Sequence, residues 1–113
     1  MTREPLRLAF VGCGGIATAA AWLVRLNPAI RIAACMSPVQ DEAEAFARRF
    51  RVPRAYTDLA GLCADQGVQA WYLASPHDAH AGQLREAIRI GMPVLCETPL
   101  ATTLDDGVDV CRL

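Results

Sequence analysis

The sequence predicts an α/β fold class with a doubly wound parallel sheet that stops after about five strands. Three observations carry that prediction. Short aliphatic runs alternate with helical-period segments along the chain. The runs lack the apolar–polar alternation of a half-exposed strand, as expected where helices cover both faces of a sheet. The first run also passes directly into Gly12-Cys13-Gly14-Gly15-Ile16-Ala17 and then into an alanine-rich helical stretch. That strand–turn–helix order is the mark of a dinucleotide-binding, or Rossmann, βαβ unit.

The elements follow in order. The first strand is expected over 7–11 (RLAFV) and its helix over 16–26, stopped by Asn27-Pro28. A second strand over 31–35 (RIAAC) leads to a helix over 41–50, where Ala43, Phe46, Ala47 and Phe50 recur at the spacing of one helix face. A short third strand covers 54–56, and Asp58 stands as N-cap for a helix over 59–65. The fourth strand is 70–74 (AWYLA). Ser75-Pro76-His77-Asp78 turns into a helix over 79–90, with Leu84, Ala87 and Ile88 expected to face inward and Gly91 ending it. The fifth strand is 93–96 (PVLC). Thr103 and Asp106 then make a capping-box-like start to a helix carrying Leu104, Val108 and Cys111, barely three turns long at Leu113.

This organisation predicts a nucleotide-binding domain over 1–101 and, over 102–113, the start of a helix leading to a second domain that the chain lacks. The helix over 16–26 is apolar almost all round, which predicts burial on more than one side, against that domain or another subunit. Trp22 and Trp71 lie within apolar elements and are expected in the core or at a domain interface rather than on a substrate.

Composition narrows the chemistry. The 113 residues carry eleven basic and twelve acidic side chains, and every basic residue is arginine. A chain without lysine supplies no Schiff-base amine, no P-loop lysine and no lysine general acid. Near-neutral charge with scattered arginines argues against nucleic-acid binding, which ordinarily shows a basic stripe. Aromatics form only 6% of a chain that is 53% hydrophobic, so the expected core is aliphatic. No apolar run reaches the ~20 residues of a membrane span, and no secretory signal is recognisable at the start. The five cysteines are odd in number and lie at least fifteen positions apart, against a disulfide framework or zinc site. His77 and His80 are the only imidazoles and lack a third ligand of usual spacing, so no metal is expected. These features point to a cytoplasmic protein.

The glycine loop has a chemical logic. Gly12 permits the tight turn out of the strand, Gly14 lets a pyrophosphate approach the backbone, and Ala17 is small enough for close helix–strand packing. The amides at the helix start and the positive end of its dipole would hold phosphate. The end of the second strand ordinarily chooses between cofactors, with an acid for NAD or a nearby arginine for NADP. Here Cys35-Met36-Ser37-Pro38 offers neither, and the first acid, Asp41, is expected in the next helix. Ser37 can donate a hydrogen bond to a 2′-phosphate, but no cation favours one. NAD and NADP both stay open, as does a weakened site. A Rossmann-like methyltransferase also uses a glycine-rich first loop, although it usually carries a ribose acid after the second strand.

GCGGIA, the segment DEAEAFARRF–RVPRAYTDLAGL, then ASPHDAH and VLCETPLATTLDD occur in the order seen in the N-terminal domain of the Gfo/Idh/MocA oxidoreductases, which the chain resembles over almost its whole length. The resemblance implies a domain that binds NAD or NADP, followed by a larger α/β domain carrying most of the substrate pocket. It implies hydride transfer with a sugar, polyol or related small molecule, commonly in dimers or tetramers. On this pattern Gly12, Gly14, Gly15 and Ile16 cradle the pyrophosphate, Met36 and Ser37 border the adenosine ribose, and Ser75, Pro76 and His77 run past the middle of the cofactor. His80 either makes a structural hydrogen bond at the helix start or lines the cofactor site. Glu97 matches the glutamate of the family's Glu-Lys-Pro motif at the nicotinamide end. The family lysine, credited with a role in proton transfer, is Thr98 here. Threonine cannot replace it as a cation, though it still donates and accepts a hydrogen bond. Thr98 therefore keeps a second function open, a non-catalytic nucleotide sensor or protein-interaction module on the same fold. The Thr98–Pro99 bond is an expected site for a cis peptide.

Overall fold

The computed structural model describes residues 4–96. Its elements are β1 (Leu6–Val11), α1 (Gly15–Arg25), β2 (Ile30–Met36), α2 (Gln40–Phe50), β3 (Arg54–Tyr56), α3 (Leu59–Cys63), β4 (Ala70–Leu73), a 3₁₀ turn (His77–Ala79), α4 (His80–Ile90) and β5 (Val94–Cys96). The five strands form one sheet in the order β3-β2-β1-β4-β5, and every neighbouring pair is parallel. The strand order reverses between β1 and β4, the place where open α/β sheets leave a crevice at their carboxyl ends. Glu97, Thr98, the Thr98–Pro99 bond and the expected helix after Thr103 lie outside the described residues, as does the 101/102 domain boundary.

Two apolar layers sandwich the sheet, and the expectation of an aliphatic core is corrected in one of them, where the few aromatics gather as touching rings of Phe10, Phe46, Phe50 and Tyr72. Ala9, Val11, Trp71 and Leu73 pack with Leu62 of α3 and with Ala81, Leu84 and Ala87 of α4. On the other face Phe10, Ile32 and Cys35 pack with Ala17 and Ala21 of α1 and with Phe46 and Phe50 of α2. The small alanines on α1 let that helix sit close over β2, where larger side chains would hold it off. Along β1 the two layers alternate with the period of two that a pleated strand imposes.

Along β2 that alternation is broken. Leu8 pairs with Ile32 but Ala9 pairs with Ala34, so Ala33 is an extra residue in the ladder. The bulge puts Ile32 in one layer and Ala34 and Met36 in the other, although all three share sequence parity.

The expected elements are present, with ends moved by one or two residues, and one inward assignment is corrected. Ile88 is 42% exposed. The buried stripe of α4 runs through His80, Ala81, Gln83, Leu84 and Ala87. At about 100° per residue position 88 shares the sector of Ala81 and Leu84, so helical spacing alone puts it on the stripe; spacing gives the direction of a side chain and not whether an element covers it there. Ile90 packs on the core instead. Trp71 is fully buried, whereas Trp22 is half-exposed between α1 and α2, edge-on to Phe50 at 5.0 Å. Within the chain α1 is buried on one side, through Ala17 and Ala21, and Leu23 and Leu26, with Ile16, are exposed.

Candidate functional site

At the carboxyl edge of the sheet the segments after β1, β2 and β4 are tied to each other's strands. The Gly12 amide donates to the Met36 carbonyl (2.8 Å), Ala74 to Val11 (2.9 Å) and Ser37 to Tyr56 (3.0 Å). Between them lies a cleft of about 520 Å³, within the usual range for small-molecule and cofactor sites. It brings together Gly12, Gly14, Gly15 and Ile16 from the first loop, Met36 and Ser37 from the second, and Ser75 and Pro76 from the third. Eight of the residues expected at a dinucleotide site therefore converge on one cavity.

The glycines differ in what they do. Gly12 has φ +106°, and a Cβ there would stand 2.5 Å from the Ser75 amide nitrogen and 2.7 Å from the Ala74 carbonyl carbon. It is the residue that lets the first and third loops touch. Gly14 and Gly15 have nothing within 4 Å of a Cβ position. Their missing side chains open the cleft itself. Gly14 caps α1 without a side-chain hydrogen bond, and its carbonyl accepts from the Thr18 amide and hydroxyl, both at 2.9 Å. The first-turn amides of α1 thus face the cleft side without a side-chain cap, and no acidic residue stands in that turn.

Cys13 also lines the cleft, with its thiol 3.5 Å from the Met36 carbonyl oxygen. Hydrogen bonding with the neighbouring Cys35 thiol and then burial push the Cys13 pKa well up. The loop therefore carries a neutral thiol at physiological pH, and a neutral group does not repel phosphate.

The third loop is braced from below. Ser75 Oγ donates to Gln83 Oε1, and both residues are buried. His80 is fully buried, and its Nε2 lies 2.9 Å from the Ser75 carbonyl oxygen. A carbonyl only accepts, so Nε2 carries the proton. His80 is absent from the cleft lining and stands behind it. Of the two roles open to it, the structure shows the structural hydrogen bond. His77 opens the 3₁₀ turn. Glu97 and Thr98, the catalytic candidates, follow the last residue of β5 and lie outside the described residues.

Among the lining residues that were not anticipated, Gln83 and Glu42 carry strongly polar side chains. Gln83 sits on the inward stripe of α4 three residues after His80, and a polar pair on an otherwise apolar stripe is a signal that helix periodicity could have exposed. Glu42 lies one position past Asp41 in the first turn of α2. Side chains on a helix lean toward its N-terminus, so a first-turn acid hangs back over the preceding loop. Ser37 Oγ donates to Glu42 Oε2 at 2.9 Å. The second strand lacks an acid at its end, but the cleft does not.

A parallel sheet with a crevice at its switch point, floored by an uncapped helix start and open glycines, defines a dinucleotide-binding α/β domain. Residues 6–113 match the family model described as oxidoreductase family, NAD-binding Rossmann fold, and the chain belongs to this Gfo/Idh/MocA family. Inositol 2-dehydrogenase of Mycolicibacterium smegmatis is 34% identical over 110 residues, which cover 95% of this chain and 31% of that protein. 1,5-Anhydro-D-fructose reductase of Ensifer adhaerens is 34% identical over 67% of this chain and 23% of its own length. An oxidoreductase from Agrobacterium radiobacter, solved with NAD+, L-tartaric acid and magnesium, superposes with a TM-score of 0.90 at 26% identity, covering 97% of this chain and 32% of that one. A 3-ketoreductase from Actinomadura kijaniata, solved with NADP and TDP-benzene, gives a TM-score of 0.84 at 28% identity, covering 96% of this chain and 34% of that one. The chain thus spans a third or less of the length of these relatives.

Proposed function

We propose that this chain is the nucleotide-binding half of an oxidoreductase that moves hydride between a nicotinamide dinucleotide and a sugar, polyol or related small molecule. The observation that carries the reading is the pair of open glycines, Gly14 and Gly15, at the uncapped start of α1 on the floor of the cleft. Phosphate is the ligand chemistry that such a helix start suits. In this reading the amides of Gly14, Gly15 and Ile16 hold the pyrophosphate, and Met36 and Ser37 border the adenosine ribose. Ser75, Pro76 and His77 flank the middle of the cofactor, while Glu97 and Thr98 stand at the nicotinamide end. Gln83 and His80 position the Ser75 loop from behind. The nicotinamide, when bound, supplies or accepts the hydride. The chain's own task is to orient it.

Turnover needs a substrate pocket, and the relatives' greater length is where the rest of that pocket would lie. The isolated chain is accordingly expected to bind cofactor without catalysing a reaction, and a cytoplasmic, self-associating whole protein belongs to the same proposal. Calorimetry with NADH and NADPH tests the binding claim. Absence of binding to both at millimolar concentration would refute it.

Thr98 in the position of the family lysine supports a second reading, a nucleotide-sensing module without catalysis. Assay of the whole gene product against sugars and polyols separates the two. Reduction of NAD or NADP by any of them refutes the sensor.

A further inference from the structure

We propose that Glu42 selects the cofactor. Held at the carboxyl end of β2 by Ser37, its carboxylate accepts the hydroxyls of an unmodified adenosine ribose and repels a ribose that carries a 2′-phosphate. The chain then binds NAD(H) in preference to NADP(H). The inference rests on the dinucleotide reading above and adds to it which dinucleotide is bound.

The geometry around Ser37 is closed. Its hydroxyl donates to Glu42 Oε2 at 2.9 Å and accepts from the Val39 amide at 3.2 Å, and the residue is 1% exposed. A hydroxyl has one proton, and that proton is committed to the carboxylate. Ser37 therefore cannot donate to a phosphate without giving up Glu42. Glu42 itself is exposed and lines the cleft together with Met36, Ser37, Pro38 and Val39, so its carboxylate is fixed on one side and presented to the ligand on the other.

The charges agree with this. Among the described residues Glu42 is the only carboxylate on the cleft lining and no arginine lines it. Arg49 lines a separate, smaller cavity that also touches Glu42, Cys13 and Thr18. A carboxylate is an acceptor with about four lone-pair sites, of which Ser37 takes one. Ribose hydroxyls donate and fit the remainder. A 2′-phosphate offers acceptors only, with a charge near that of other phosphomonoesters, about −1.5 to −2 at pH 7. Rossmann domains ordinarily take the discriminating acid from the end of the second strand. Here the first turn of α2 supplies it, five residues later.

The test compares two ligands that differ only in the 2′-phosphate. Calorimetry on the wild-type chain, at one fixed ionic strength, measures 5′-AMP against adenosine 2′,5′-bisphosphate and then NADH against NADPH. The expected preference is about tenfold or more for the unphosphorylated member of each pair. Glu42→Gln keeps the shape and the Ser37 hydrogen bond while removing the charge, and should bring the ratio near unity. Glu42→Arg should invert it. Circular dichroism confirms that both variants fold. Equal or tighter binding of the phosphorylated ligands by wild type, or a ratio unchanged in both variants, overturns the role of Glu42 and leaves the dinucleotide site standing. If none of the four ligands binds, the dinucleotide reading falls and takes this inference with it.

Discussion

Gly12 and Gly14 lie two positions apart in one loop and answer to different demands, which makes them separable by substitution. At Gly12 the backbone has positive φ and the Cβ position is already occupied by the Ser75 backbone. Gly12→Ala must therefore force the first and third loops apart, and a loss of roughly 2–4 kcal/mol in urea unfolding is expected. At Gly14 the backbone is extended and the Cβ position is open. Serine there can cap α1, so Gly14→Ser should hold stability within about 0.5 kcal/mol or raise it. The same side chain occupies the phosphate space, and NADH affinity should fall by about tenfold or more. Paired urea and calorimetric titrations check this, and a Gly14→Ser protein that binds as wild type would show that the cleft floor is not the phosphate site.

Among the elements, α2 and the short β3–α3 segment carry the clearest local energetics. The C-cap of α2, Arg51, is the one non-glycine residue at positive φ among those described (φ 54°). A left-handed residue at that place is what stops the helix, and glycine takes it without the Cβ penalty. Arg51→Gly should raise the urea midpoint, by about 0.5–1 kcal/mol in stability after allowing for glycine's greater freedom in the unfolded chain. Asp65 ties β3 to the turn that follows α3. It accepts from Arg54 Nε (2.5 Å), Tyr56 OH (2.7 Å) and the Gly67 amide (2.8 Å). Burial raises the Asp65 pKa, but the hydrogen bonds from Arg54 and Tyr56 outweigh it and hold the pKa below the ordinary 3.8. A depressed carboxyl pKa contributes stability that is complete above the ordinary value and is lost as pH falls through the folded one. Asp65→Asn should therefore cost about 1–2 kcal/mol at neutral pH, discounted for the exposure of Arg54, and progressively less as the pH falls below the ordinary carboxyl value of 3.8. Urea midpoints across that range measure it.

Over the whole molecule, the cleft belongs to no single element. Its lining comes from three loops and the starts of α1, α2 and α4, held at one edge by the β3-β2-β1-β4-β5 order. A ligand spanning them binds only the folded chain and must stabilise it by mass action. NADH at 100 times its dissociation constant is expected to add about 2.7 kcal/mol, a rise in Tm of roughly 10 °C for a domain of this size. Differential scanning calorimetry at several NADH concentrations reads the effect directly, and a Tm indifferent to NADH and NADPH alike contradicts a dinucleotide site.

The sequence by itself determined the order and type of the elements, because aliphatic runs, helical spacing and the punctuation at Asn27-Pro28 and Gly91 are local properties. It also determined the glycine loop and the family, since both are written in contiguous residues. Glu97 and Thr98 still rest on that sequence alone. Tertiary structure decided what depends on packing and direction. The bulge at Ala33 moves Ile32 and Ala34 to opposite layers, and no local signal marks it because alanine suits either side. His80 was ambiguous between two roles until burial and the Ser75 carbonyl placed it behind the lining. The end of β2 carries no acid, yet one lines the cleft, because sequence spacing counts along the chain whereas a helical side chain leans back across the loop. Glu42 reaches Ser37 through that lean. Chain order states which residues are available, and only the folded backbone states which way they point.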